Sequence, residues 1–288
     1  MFRGVGTALI TPFTEEGIDF QALDKLITYQ LEGGVDALIV LGTTGEPATM
    51  GEDERRAVIE FAIEKVNKKI PVIIGTGCNC TATAIKNSVN AEKLGADGLL
   101  VVTPYYNKAT QGGLVAHYNA IADAVSIPII VYNVPGRTGV NMLPKTFSEI
   151  AEHKNIAAMK EASGNIEQIT EMCALTKGKA EVLSGDDAII LPVMAVGGKG
   201  VISVASNVLP AYVKSLTDAF FDGDLSKAAE LQYRMNPLVK ALFSEVNPIP
   251  VKKAAEILGL SSARMRLPLT EMTEDNAKTL EKLLKEFI

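Results

Sequence analysis

Lys160 stands where an ammonium group is awkward. It closes the run Ile156-Ala157-Ala158-Met159, just before Gly164 and Asn165. A short apolar run bounded by turn-forming residues reads as a strand buried on both faces. Two-residue alternation then sets Lys160 on the face of Ile156 and Ala158. Desolvation there disfavours the charged form, and an amine that gives up its proton near neutral pH can attack a carbonyl to form an imine. The same side chain could instead reach water along its methylene stem, or pair with Glu161. Tyr132 closes another apolar run, IIVYN. Its phenol could carry protons to and from a carbinolamine, or it could be a packing residue with a satisfied hydroxyl. In GTTGE, at 42–46, the small glycines allow backbone N–H groups near Thr43 and Thr44 to approach a carboxylate, although a tight turn before a helix has the same composition.

The elements that must position these groups repeat along the chain. Eight β-rich runs, GVGTALITPF, VDALIVLGTT, PVIIGTG, DGLLVVTPYY, PIIVYNVP, IAAMKEAS, EVLSGDD and GVISVASN, are each followed by a helical pattern. In EDERRAVIEFAIEKVNKK, Val58, Ile59, Ala62, Ile63 and Val66 share one face, with Glu60, Glu64 and Lys68 opposite. Strand-helix units joined by short connections imply a parallel sheet, and this number of units closes a (β/α)8 TIM barrel. An open doubly wound sheet is disfavoured because no GxGxxG follows an early strand. The catalytic barrel is expected over 1–222, with a C-terminal helical extension over 223–288. Active sites of such barrels form at the C-terminal ends of the strands. Those ends hold Thr43-Thr44-Gly45-Glu46, Tyr105-Tyr106, Tyr132-Asn133 with Arg137, Lys160-Glu161 and Ser184-Gly185-Asp186.

Charge and composition remove several classes of function. The chain has 288 residues and a net charge of −6, against the accumulated Lys and Arg that hold nucleic acid or an anionic membrane. The opening MFRGVGTALITPF reads as a first strand rather than a leader, and no apolar run approaches the roughly 20 residues of a membrane span. A cytoplasmic protein is expected. Cys78, Cys80 and Cys173 do not make a disulfide framework, and no metal set is legible around the CNC pair. With only 2 histidines, proton transfer falls to Tyr, Glu or Lys.

Taken together, GTTGE at 42–46, YNVPGRTG at 132–139, MKEASG at 159–164 and NPIPVK at 247–252 resemble the dihydrodipicolinate synthase family of the pyruvate-dependent lyase and aldolase superfamily. The similarity runs end to end. It implies condensation of pyruvate with L-aspartate 4-semialdehyde, the entry to diaminopimelate and lysine, with no external cofactor. By resemblance, Lys160 forms the imine and Tyr132 is the general acid and base. Thr43 links it to Tyr106, which reaches across a dimer interface of a homo-oligomer expected to be a tetramer. Thr44 fits the pyruvate carboxylate and Arg137 that of the semialdehyde, while Gly185 and Ile202 supply backbone carbonyls near the lysine.

Three alternatives compete. N-acetylneuraminate lyase or a keto-deoxy sugar acid aldolase would use the same lysine and tyrosine, but without a carboxylate-binding role for Arg137. An aldolase for phosphorylated sugars is opposed by Asp186 and Asp187, which would repel phosphate. A keto-acid sensor without turnover is conceivable on the fold alone. Feedback-sensitive relatives bind lysine using residues that here are Pro47, Glu52, Arg55 and Thr83. With no hydroxyl at Pro47, no counter-charge at Thr83 and a cation at Arg55, an enzyme largely insensitive to lysine is expected, although Tyr105 and Asn79 remain and Glu52 could compensate by turning inward.

Overall fold

A computed structural model describes residues 2–288. The expected runs form β1 (Gly4–Ala8), β2 (Ala37–Val40), β3 (Val72–Gly75), β4 (Gly98–Val102), β5 (Ile129–Asn133), β6 (Ile156–Glu161), β7 (Glu181–Ser184) and β8 (Gly200–Ser203). They pair in parallel and in sequence order, with β8 returning to β1, so the sheet is a closed barrel and the fold is a TIM barrel. Closure depends on glycine. Gly200 sits at φ +140, and a β-carbon on it would collide with the Gly4 carbonyl across the seam.

Helices cover the outside for the reason the sequence suggested. In the helix Glu52–Val66, Val58, Ile59, Ala62 and Val66 are buried. Its first turn is acidic, and the backbone N–H of Gly51 donates to Glu54 Oε2 at 3.0 Å, which satisfies a donor that a helix start leaves open. Asn67, left-handed at φ 46, ends it.

Helix Pro210–Phe221 follows β8, and three more come after it, Leu225–Leu242, Ile249–Ile257 and Glu274–Leu284. They are tied to the strand ends rather than trailing from them. Gln232 donates to the carbonyl of Asp187 at 2.9 Å and accepts from the backbone N–H of Leu191 at 3.1 Å. Leu280 and Leu284 are buried. No helix of the described residues is long and apolar enough to cross a membrane.

Candidate active site

Strands β5 and β6 set the central pair. Tyr132 and Lys160 stand opposite each other in register, and the Lys160 amine lies 4.3 Å from the centroid of the Tyr132 ring. Lys160 is only 5% exposed. Burial lowers its pKa from 10.5 to about 8; the Arg137 charge acts the same way, and Asp187 opposes both. Burial also pushes the Tyr132 phenol up to about 12, against the pull of Arg137. At neutral pH the arrangement therefore keeps a phenol protonated beside an amine that loses its proton easily.

Pairing of Lys160 with Glu161 does not occur. The strand pleat sends Glu161 to the opposite face, where it accepts from Asn133 Nδ2 at 2.9 Å and from the backbone N–H of Ser163 at 2.7 Å. Gln168 donates to it at 3.4 Å. The carboxylate that does influence the lysine is Asp187. It is buried and accepts from Ser203 Oγ at 2.5 Å and from the backbone N–H groups of Val204 and Ala205 at 2.9 and 3.0 Å. The sequence reads Asp186 and Asp187 as loop charges that would repel phosphate. Asp186 instead caps its own turn, accepting from the Ala188 N–H at 2.9 Å, and Asp187 turns inward.

Gly185 follows β7 against the lysine. A β-carbon there would lie 3.1 Å from both Cγ and Cε of Lys160 and 2.8 Å from the Ala162 side chain, so a larger residue would displace the amine's stem. Ile202 lies buried in β8, paired with Gly6 at the seam.

The 42–46 segment makes a single tight turn over Thr43–Gly45, held by the Thr11 hydroxyl donating to the Gly45 carbonyl at 2.8 Å. Thr44 is buried, and its hydroxyl accepts from Asn247 Nδ2 at 2.9 Å. Thr43 is exposed. Arg137 sits in the short helical turn Pro135–Thr138 and donates from Nη2 to the Asn247 carbonyl at 3.1 Å. Asn247 thus touches both, a link that sequence reasoning missed although NPIPVK was part of the resemblance. Tyr106 does not join this group. It is 86% exposed on the turn after β4, in the left-handed region at φ 73.

Among the described residues, no three or more His, Cys, Asp or Glu side chains converge where they could hold a metal ion. Cys78, Cys80 and Cys173 are free thiols. A depression of about 820 Å³ at the opposite, N-terminal end of the barrel, lined by Leu31, Asp36, Lys65 and Lys69 among others, contains none of these groups. The strand ends that carry Lys160 are therefore the place where the reactive side chains meet.

The chain resembles known proteins along its whole length. The sequence profile of the dihydrodipicolinate synthetase family matches residues 1–287. The 4-hydroxy-tetrahydrodipicolinate synthase of Geobacter sulfurreducens is 53% identical over 287 residues, which cover 100% of this chain and 99% of the relative. The crystal structure of dihydrodipicolinate synthase from Thermotoga maritima superposes with a TM-score of 0.98 at 49% identity, covering 99% of this chain and 98% of that one. The dihydrodipicolinate synthase of Acinetobacter baumannii, solved in complex with pyruvate, superposes with a TM-score of 0.98 at 40% identity over 100% of both chains. The fold and these matches along the whole length agree: the chain belongs to the dihydrodipicolinate synthetase family.

Proposed function

We propose that this barrel condenses pyruvate with L-aspartate 4-semialdehyde, the reaction implied by its likeness to 4-hydroxy-tetrahydrodipicolinate synthases, through a Schiff base on Lys160. The observation that carries the assignment is a lysine amine 5% exposed, with no carboxylate bound to it and a protonated phenol against it. The neutral amine attacks the keto carbon of pyruvate. Tyr132 gives a proton to the resulting oxyanion and helps water leave, and the imine then accepts the electron pair released when a methyl proton departs. The enamine carbon attacks the aldehyde, whose oxygen becomes the hydroxyl. Finally the substrate's own amine adds to the imine carbon and expels Lys160, which closes the ring and regenerates the free lysine.

Thr44 and its backbone hold the pyruvate carboxylate, Arg137 holds that of the semialdehyde, and the carbonyls of Gly185 and Ile202 face the reacting lysine. Tyr106 fits a different arrangement. Because it stands exposed on its own barrel, it acts in a dimer, where Tyr106 of the partner subunit meets Thr43 and completes a proton path to Tyr132; two such dimers form a tetramer.

Borohydride added with pyruvate should fix a covalent adduct on Lys160, identified by peptide mass mapping. The trapping rate should climb through about pH 8, not near the 10.5 of an ordinary lysine. An adduct elsewhere, or none at saturating pyruvate, rejects the assignment.

Inhibition by lysine is not expected. Glu52, which could have offered a counter-charge, is instead bound to Lys86 at 2.8 Å on the surface. Initial rates should stay nearly flat across a lysine titration, and strong inhibition below a millimolar would show that this reading of the cleft is wrong.

A further inference from the structure

Helix Ile249–Ile257 carries a lysine that the chemistry above does not use. Lys252 Nζ donates to Glu46 Oε1 at 2.6 Å, with the two side chains 0% and 2% exposed. Its amine also lies 4.2 Å from the centroid of the Phe13 ring, and Glu46 Oε2 has no hydrogen-bond partner. Two charges are expensive to bury, and a well-packed apolar pair of similar volume often serves stability as well or better. The pair is better explained by what it aligns.

Each partner is anchored next to a substrate-binding group. Glu46 ends the tight turn that carries Thr43 and Thr44, in the left-handed region at φ 55, which is uncommon for a residue with a side chain. Lys252 lies on the first turns of a helix led by Asn247 and Pro248. Asn247 donates from its side chain to Thr44 and accepts from Arg137 through its carbonyl, at 2.9 and 3.1 Å. One buried ion pair therefore clamps together two segments, and between them run bonds to both proposed carboxylate-binding residues.

We infer that Glu46 and Lys252 are positioning residues that set Thr44 and Arg137 relative to each other, so that loosening the pair weakens both substrates together. The inference rests on the roles proposed above. Loss of Thr44 alone would raise the KM for pyruvate and loss of Arg137 alone that for the semialdehyde; only a shared support raises both KM values.

The test is a neutral pair, Glu46→Gln with Lys252→Met, which leaves no uncompensated charge behind. Glu46→Gln alone is a second form, because the amide keeps an acceptor for the Lys252 amine, whose pKa burial lowers. Either variant, if its cooperative thermal unfolding shows it folded, should still trap pyruvate on Lys160 at saturation. The KM values for pyruvate and for semialdehyde should both rise about tenfold or more, with kcat changed far less. Lys253→Met serves as the control, since Lys253 pairs with Glu256 on the exposed side of the same helix. A lowered melting temperature with parental KM values, or a rise in only one KM, overturns the inference. Failure of the parent protein to trap pyruvate overturns the underlying reading instead.

Discussion

Lys160→Met should abolish condensation and at the same time make the folded chain more stable at pH 7, by about 3 kcal/mol. The fall in pKa from 10.5 to about 8 corresponds to the net penalty on the ammonium form from burial, less the attraction of Asp187 and with the repulsion of Arg137, at about 1.4 kcal/mol per pH unit. The folded pKa lies below the unfolded one, so between these values the unfolded chain binds the extra proton. The cost to folding is therefore full below about pH 8, and it disappears as the pH rises towards 10.5. Methionine keeps an unbranched apolar stem in the same space without a charge to desolvate. Denaturant unfolding of the two proteins should show a gap that is widest at neutral pH and closes in alkali. A variant no more stable than its parent at pH 7 would mean that the lysine is well solvated after all.

Arg137→Ala should separate the two half-reactions. A charge-assisted hydrogen bond contributes about 1.5–3 kcal/mol, so kcat/KM for the semialdehyde should drop about 10- to 100-fold. Pyruvate should still be trapped. Because the Arg137 charge helps to lower the pKa of Lys160, the trapping profile should also move to higher pH, and trapping at pH 7 should slow. Arg137→Lys should not restore the rate, since an ammonium cannot reproduce the planar fork that grips both carboxylate oxygens. Steady-state rates with each substrate varied in turn check both effects, and parental kinetics with the semialdehyde would remove Arg137 from the site.

The barrel was legible because its signals are local. Most of the β-rich runs are short and largely apolar, and several of the helices after them show a stripe, as in Val58, Ala62 and Val66. The opposition of Tyr132 and Lys160 was legible for the same reason, since adjacent strands and alternation decide it. What the sequence did not disclose depends on side chains meeting from far apart. Asp187 looked like a loop carboxylate beside Asp186, and only the arrival of Ser203 and the Val204 and Ala205 amides makes it a buried partner of the lysine's field. Glu46 and Lys252 are separated by most of the chain. One signal could have exposed the second of them. Lys252 follows Ile249 and precedes Ala255 at three-residue spacing, on a face that is otherwise apolar and buried. A lysine at such a position needs a partner, although the pattern does not name it.

Strand β6 begins with an irregularity. Ile156 pairs with Ile129, yet Ala158 pairs with Ile130, so Ala157 is taken up without a partner of its own before regular pairing resumes at the reactive end. Lys160 and Glu161 are neighbours that point to opposite sides, one into the barrel and one towards the helices. Sliding β6 by a single residue would exchange them, presenting an acid to the mouth and leaving the amine among Asn133 and Gln168. In an open sheet an edge strand could slide in this way with one neighbour to resist it. In a closed ring β6 is gripped by β5 and β7 alike, with Lys160 matched to Tyr132 on one side and to Leu183 on the other. The sidedness of the nucleophile is thus a property of the whole circumference: no strand can slip without unzipping two ladders, and the extra residue at Ala157 absorbs the mismatch at the end where no chemistry depends on it.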